Sequence, residues 1–379
     1  MKAVILSGGK ATRLRPLTCN TPKIMVPVLN RPFLAHLVDY LKRHQVTELI
    51  LAMGEVPEQV RAYLGVGGGF GVEIAYSSEQ SPLGTAGAVK NTEELLRETF
   101  VVFNGDIFTD IDLTGMIEWH RRKGAIATIA LTPVDDPTVY GVVETDAKDR
   151  VRRFTEKPSR DEVTTNMINA GIYVLEPSIL TCIRPGVFTM FERDVFPLLL
   201  ERGEAIYGFA SRDYWIDIGT PESYFKLNED LLHRHIGAKG LRVERQCSVQ
   251  PSVRIDGPVL IGEGSCVGDG CVLLGPSILG KGCRIDEGAL VQRSLLWDDC
   301  TVGDGARVRN CLLSSCCRVG RGSALDGCIL GDKVTIGANN ELPQGVRIWP
   351  GKCIDDHAIS FQPWSNQEAA KKQGILDVE

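Results

Sequence analysis

Residues 259–292 read VLIGEGSCVGDGCVLLGPSILGKGCRIDEGALVQ, and their period is six. Ile261, Val267, Leu273, Leu279, Ile285 and Val291 recur at every sixth position, and glycine follows the first, second and fourth of them. An α-helix returns to one face every 3.6 residues and a strand every two, so neither explains this spacing. A chain that turns a corner every six residues does. Its coils stack, and the aliphatic residues bury one continuous column. Four residues after each aliphatic stands a small side chain: Ser265, Cys271, Ser277, Cys283 and Ala289. A narrow coil admits nothing larger there, which accounts for most of the cysteines between Cys247 and Cys328. The register slips near Trp297, where a loop or bulged coil is expected. It resumes at Val302-Gly303 and Val308, and again at Leu330-Gly331 and Ile336-Gly337. Residues 241–348 are therefore expected to form a parallel β-helix. Residues 349–379 form a tail in which Phe361 and Trp364 could cap the open coil and Gln367–Gln373 could be helical.

Working back toward the N-terminus, the texture changes completely. In residues 1–130 short apolar runs alternate with amphipathic segments. Ala3–Leu6, Glu48–Met53, Val72–Ser77 and Phe100–Asn104 read as strands; Arg31–His44, Pro57–Leu64, Gly84–Glu98 and Leu113–Lys123 read as helices. This alternation predicts a mostly parallel sheet with helices on both faces and ligands at the carboxyl ends of its strands. Between Ile126 and Tyr173 the segments are strand-like (Ile126–Leu131, Tyr140–Glu144, Val151–Glu156, Ile168–Val174), which suggests a smaller mixed sheet beside the first. Helices at Pro177–Ile183 and Met190–Glu201, a strand at Ala205–Ala210 and a closing helix at Pro221–His233 complete an expected domain of residues 1–235.

The chain has 379 residues, a net charge of -6 and 43% hydrophobic residues. That length suits two domains. The acidic balance argues against broad nucleic-acid or membrane-surface binding. No apolar run approaches a membrane span and none resembles a signal peptide, so a cytoplasmic protein is expected. No C-x-x-C pair occurs, so a zinc site is not expected. Cysteine here reads as a small buried hydrophobe.

Against that acidic whole, residues 6–23 stand out: LSGGKATRLRPLTCNTPK. Lys10, Arg13, Arg15 and Lys23 lie in this stretch, and no acid precedes Asp39. Gly8 and Gly9 let backbone approach a ligand closely. A glycine turn with concentrated cations just after a first strand suits a polyphosphate. It is not G-x-x-x-x-G-K-[ST], which would need glycine at Val4 and a hydroxyl residue at Ala11, nor is it G-x-G-x-x-G.

The stretch resembles the signature of the sugar-nucleotidyltransferases, which join a sugar-1-phosphate to a nucleoside triphosphate and release pyrophosphate. Further blocks follow in the family's order: Pro82-Leu83-Gly84-Thr85-Ala86-Gly87, Asn104-Gly105-Asp106, Tyr140-Gly141-Val142, Glu156-Lys157-Pro158, Asn169-Ala170-Gly171 and Trp215-Ile216-Asp217-Ile218-Gly219. The resemblance implies an α/β fold: a Rossmann-like mixed-sheet nucleotidyltransferase domain followed by a C-terminal left-handed parallel β-helix of hexapeptide repeats. It departs at Ala11, where many members carry a third glycine; alanine there implies a backbone angle that an L-residue tolerates.

The resemblance also implies roles. Leu6, Gly8, Gly9, Thr12, Arg13, Glu79, Gly84 and Thr85 would bind the nucleotide. Gly141, Glu156, Lys157, Asn169 and Gly171 would bind the sugar phosphate, with Arg193 a further candidate. Arg13, whose planar fork can bind two oxygens, would hold the leaving pyrophosphate. Lys23 would meet the α-phosphate. Asp106 and Asp217 would hold Mg²⁺, a cation typically bound by one or two carboxylates plus substrate phosphates; either could instead cap a turn. Asp110 and Asp112 are nearby alternatives, Asp112 as a helix cap. Glu79 or Gln80 would read the base. A carboxylate suits the two donors of guanine, and the Pro82–Val89 block looks most like guanylyltransferases acting on mannose-1-phosphate. Uridylyl-, thymidylyl- and adenylyltransferases share the fold.

Two other classes make different demands. An acyl-transferring β-helix needs a histidine base, and no histidine lies between His235 and His357. A catalytically dead subunit would lack one of Arg13, Lys23, Asp106 or Asp217, and all four are present. The β-helix is therefore expected to serve homo-oligomerisation or regulation.

Overall fold

The computed structural model describes residues 1–9 and 11–360; Lys10, Phe361, Trp364 and the predicted helix Gln367–Gln373 lie outside the described residues. Contacts divide the chain into two compact units. One is Met1–Arg13 with Thr21–Leu227; the other is Leu14–Asn20 with Asn228 onward.

The first unit is built on a single nine-stranded sheet. Its central order is Val151–Glu156, Gly141–Thr145, Met167–Leu175, Phe100–Asn104, Lys2–Leu6, Glu48–Met53, Glu73–Ser78. Lys2–Leu6 runs parallel to both neighbours, pairing Ala3 with Leu49 on one side and with Val101 on the other. Ala3, Val4 and Ile5 are fully buried, as an apolar run covered on both faces should be. Phe33–Arg43 buries Phe33, Leu34, Leu37, Val38 and Leu41, one face at helical spacing.

The separate second sheet expected from Ile126 onward does not exist. Met167–Leu175 runs antiparallel to Phe100–Asn104, with Ile172 opposite Phe103, and also pairs with Ala127–Pro133. All but two of its residues are buried, so it belongs inside a sheet and welds the later strands onto the first. Ile206–Ala210 adds to Ala127–Pro133 in parallel. Three helices also differ. The one from Gly84 stops at Lys90, followed by a 3₁₀ turn at Glu93–Leu95; the Thr92 hydroxyl donates to Val89 O and competes with helix continuation. Met190–Glu201 divides into a π turn, Phe191–Val195, and an α-helix, Phe196–Glu201. Pro197, at the join, has no N–H to close an α turn. Pro177–Cys182 is 3₁₀.

The second unit stacks parallel coils into sheets of seven, seven and six strands. Ile261, Leu279, Leu296, Leu313, Leu330 and Ile348 pair in series up one face. The slip near Trp297 is neither a loop nor a bulge. Leu279, Leu296, Leu313 and Leu330 are 17 residues apart, because one corner of these coils is one residue shorter. Arg293, Asn310 and Gly327 turn it with left-handed φ of 44°, 52° and 60°. The coils also pass the expected end at residue 348, since Cys353–Ile354 pairs with Thr335–Ile336 and continues one of the sheets. The buried cysteines do more than fill space: Cys283, Cys300 and Cys317 donate Sγ–H to Trp297 O, Ser314 O and Gly331 O, each at 3.1 Å. None of the twelve cysteines is in a disulfide.

Candidate active site

The loop after Lys2–Leu6 emerges where the strand order reverses, the chain leaving toward Glu48–Met53 on one side and returning to Phe100–Asn104 on the other. Open α/β sheets bind ligands at such a point. Gly105 N donates to Leu6 O at 2.8 Å, which ties the two strand ends together. A side chain at Gly9 would meet nothing within 4 Å, so the backbone there faces open space. The left-handed angle of the loop falls on Ala11, at φ 46°. The expectation of an ordinary angle at Ala11 is thus corrected: alanine occupies the conformation that glycine adopts without strain.

A cavity of about 450 Å³ opens here, within the usual range of small-molecule sites. Leu6, Gly8, Gly9, Thr12 and Arg13 line one side of it; Glu79, Gly84 and Thr85 line another; Lys23, Asn104 and Asp106 also face it. Every residue expected at the nucleotide is therefore in one place.

Asp106 and Asp217 come together through a short ladder not foreseen from the sequence. Ile107–Thr109 pairs antiparallel with Trp215–Asp217, setting Asp217 opposite Ile107, and Ile218 N donates to Asp106 O at 3.0 Å. Lys23 Nζ lies 2.6 Å from Asp106 Oδ2 and 3.6 Å from Asp217 Oδ1. Arg13 Nη2 lies 3.8 Å from Asp217 Oδ2. Burial lifts the Asp217 carboxyl above the usual carboxylate range, and the Asp106 charge adds to that; Lys23 and Arg13 act against it. Asp217 Oδ1 is buried and accepts no hydrogen bond. A desolvated carboxylate oxygen beside a second carboxylate is costly unless something cationic shares it; the Lys23 ammonium, 3.6 Å from this oxygen and closer to Asp106, offsets part of that cost. That donor set fits a hard divalent cation completed by phosphate oxygens. Asp112, by contrast, caps the helix Leu113–Lys123 through Gly115 N, as expected.

The residues expected at the sugar phosphate do not line the cavity but adjoin it. Gly141 pairs with Glu156, and a Cβ on Gly141 would lie 2.9 Å from Glu156 Oε2. Burial raises the Glu156 carboxyl, with Glu192 the next cause. Lys157 takes a left-handed φ of 50°, and its N–H is fixed on Tyr140 O. Gly171 has φ 70°, and a Cβ there would lie 2.5 Å from Asn104 Nδ2, so the strand carrying Asn169 and Gly171 touches a residue of the cavity wall.

The base side holds a finding that sequence reading missed. Glu79 Oε2 accepts Leu83 N at 3.0 Å, and burial raises its carboxyl. The backbone N–H groups of Ala86 and Gly87, however, are spent on Thr189 O. The Thr85 hydroxyl donates to Glu192 at 2.8 Å. Glu192 is 8% exposed. In sequence it opens a charged run, Glu192-Arg193-Asp194, between Phe191 and Val195-Phe196, and nothing in such a run marks its first member as buried.

Residues 2–234 match the family described as Nucleotidyl transferase. The chain belongs to that family. It is a nucleotidyltransferase, and residues 239–342 match the EIF2B subunit epsilon LbH domain. It is 39% identical to the mannose-1-phosphate guanylyltransferase of Mycobacterium tuberculosis, over 95% of this chain and 97% of that one. It is 36% identical to a UTP–glucose-1-phosphate uridylyltransferase of Synechocystis, over 78% and 82%. Among solved structures, a putative glucose-1-phosphate thymidylyltransferase from Bacillus anthracis superposes with TM-score 0.57 at 28% identity, covering 62% of this chain and 96% of that one. The mixed-sheet nucleotidyltransferase domain and the left-handed β-helix expected from the sequence are both present. No helix of the described residues is long and apolar enough to cross a membrane.

Proposed function

We propose that this nucleotidyltransferase transfers a guanylyl group from GTP to mannose-1-phosphate, releasing pyrophosphate and forming GDP-mannose, with Mg²⁺ as its metal. The observation that carries the chemistry is the triad Lys23, Asp106 and Asp217 at the mouth of the glycine loop, with one Asp217 oxygen buried and unbonded. Asp106 and Asp217 would hold the cation, which supplies charge neutralisation at the triphosphate. Lys23 would exchange Asp106 for the α-phosphate as charge builds there. Arg13, 66% exposed, has the reach to clamp the departing pyrophosphate. Glu156, Lys157 and Asn169 would hold the sugar phosphate so that its oxygen attacks the α-phosphorus in line. Such reactions depend mainly on positioning and charge stabilisation.

Two observations favour guanine. Glu79 places an acceptor-only carboxylate, when ionised, at the cavity wall; guanine presents N1–H and an exocyclic amine to it, whereas uracil and thymine present one N–H. The Mycobacterium tuberculosis guanylyltransferase also aligns along nearly the whole chain. Mannose-1-phosphate carrying ¹⁸O on its non-bridging phosphate oxygens tests the route. The account expects GDP-mannose that retains all the label, unlabelled pyrophosphate, and no product after chelation of the metal. Label in pyrophosphate, or full turnover in chelator, contradicts it.

A further inference from the structure

Glu192 lies outside the cavity lining, yet it joins both halves of the site. One carboxylate oxygen, Oε2, accepts the Thr85 hydroxyl of the nucleotide-side helix at 2.8 Å; the other, Oε1, accepts the Tyr173 hydroxyl at 3.0 Å. Tyr173, fully buried, then accepts from Asn169 Nδ2 at 2.8 Å, and Asn169 Oδ1 accepts Gly171 N at 2.9 Å. Thr85 Oγ1 likewise accepts Phe191 N at 2.9 Å. We propose that Glu192 is a positioning residue for the sugar-phosphate side, setting the direction of a hydrogen-bond chain that runs from the nucleotide helix through Tyr173 to Asn169.

Polarity sets the direction of this chain. An ionised carboxylate only accepts. Both hydroxyls on it must donate inward, so any other hydrogen bond that either makes is one it accepts. Tyr173 can then accept only from an N–H, which turns the Asn169 amide nitrogen toward it and the Asn169 carbonyl oxygen toward Gly171. The face of Asn169 offered to a sugar hydroxyl is thus dictated two bonds away. Satisfied buried networks of this kind hold one arrangement because each alternative leaves a polar group unpaired. The setting supports the assignment. Glu192 sits in the π turn Phe191–Val195, and single π turns are frequent at functional sites. The segment leading into that turn is anchored to the nucleotide helix by Ala86 N and Gly87 N on Thr189 O and by Thr189 N on Leu83 O. Gly84, with φ 75°, admits that approach: a Cβ there would lie 2.6 Å from Thr189 O.

This inference rests on the sugar-nucleotidyltransferase reading. Its test uses the full chain, with whichever sugar-1-phosphate the wild type turns over best. Glu192→Gln keeps the shape but brings a donor into the acceptor position. Tyr173→Phe removes the next link. Each is expected to raise the KM for the sugar-1-phosphate about tenfold, the scale of one misplaced buried hydrogen bond, with a much smaller change in kcat. Because both cut one chain, the double variant should show no further rise. A sugar-1-phosphate KM equal to wild type in folded Glu192→Gln, or single effects that multiply in the double variant, overturns the inference. A lowered Tm with both KM values intact does so too, since it makes Glu192 merely structural. Should Glu192→Gln not fold, an unchanged KM in Tyr173→Phe decides against the relay. A wild type that turns over no sugar-1-phosphate refutes the underlying function and the inference together, whereas an active wild type with indifferent variants refutes the inference alone.

Discussion

Gly171→Ala is the substitution whose cost the structure sets most directly. Two separate penalties meet there. The backbone is left-handed, φ 70°, which costs an L-residue about 1–2 kcal/mol. The added methyl would also lie 2.4 Å from Ile107 Cδ1 and 2.5 Å from Asn104 Nδ2. Neither neighbour moves freely, since Ile107 is buried in the ladder that positions Asp217. Overpacking of this sort costs about 1–3 kcal/mol. The expected loss is therefore roughly 2–5 kcal/mol. At about 2–4 °C per kcal/mol for a unit of this size, the melting temperature falls by roughly 4–20 °C. Gly124→Ala is the matched control. Its φ is 57° and its ψ 39°, a left-handed helical conformation, and its Cβ would meet nothing within 4 Å, so it carries only the backbone penalty, about 1–2 kcal/mol. Scanning fluorimetry of the two variants separates packing from backbone strain. Because the clash pushes Ile107 and Asn104, Gly171→Ala should also lose turnover at temperatures where it remains folded. Equal melting temperatures for the two variants would refute the reasoning, since the contact with Asn104 would then carry no energy.

Three further outcomes are expected. Ala11→Val should melt lower than wild type by about 1 kcal/mol or more, because a branched side chain tolerates left-handed φ least, while Ala11→Gly should melt no lower; calorimetry that finds Ala11→Val unchanged contradicts the φ of 46°. Asp217→Asn should abolish turnover yet stabilise the metal-free protein at neutral pH. The raised carboxyl binds its proton more tightly in the native than in the unfolded chain, so native stability falls as pH rises from the ordinary carboxylate range through the raised one. The stability gap between variant and wild type should accordingly close at acid pH; a gap independent of pH contradicts it. The KM for GTP should rise as pH falls through the raised carboxyl of Glu79, and Glu79→Gln should remove that dependence while raising KM by roughly tenfold to a hundredfold, the scale of a hydrogen bond to a charged group. A pH dependence that survives in Glu79→Gln removes Glu79 from the base site.

The parts of this protein readable from sequence are those in which local pattern and tertiary burial agree. Glu48–Met53, Phe100–Asn104, Val151–Glu156 and Leu113–Lys123 have the bounds their apolar patterns imply. The six-residue repeat exposed the β-helix because every coil obeys the same steric rule. What escaped was decided by partners distant in the chain. The antiparallel docking of Met167–Leu175 on Phe100–Asn104 fused two expected sheets into one. The three-residue strand Ile107–Thr109 is too short to show a period, yet it aligns Asp106 with Asp217. A corner shortened by one residue looks in sequence like lost register. In the site, motif blocks located the cavity residues, but none of those blocks includes Glu192. Its partners Thr85 and Tyr173 lie 107 and 19 residues away, and no local pattern reports such a junction.

Pyrophosphate release from the wild-type chain with Mg²⁺, over a matrix of GTP, UTP, dTTP and ATP against mannose-1-phosphate and glucose-1-phosphate, decides which pair this site is built for. The account predicts the highest kcat/KM for GTP with mannose-1-phosphate, with turnover lost in Asp217→Asn. A pyrimidine triphosphate with glucose-1-phosphate as the best pair would contradict it.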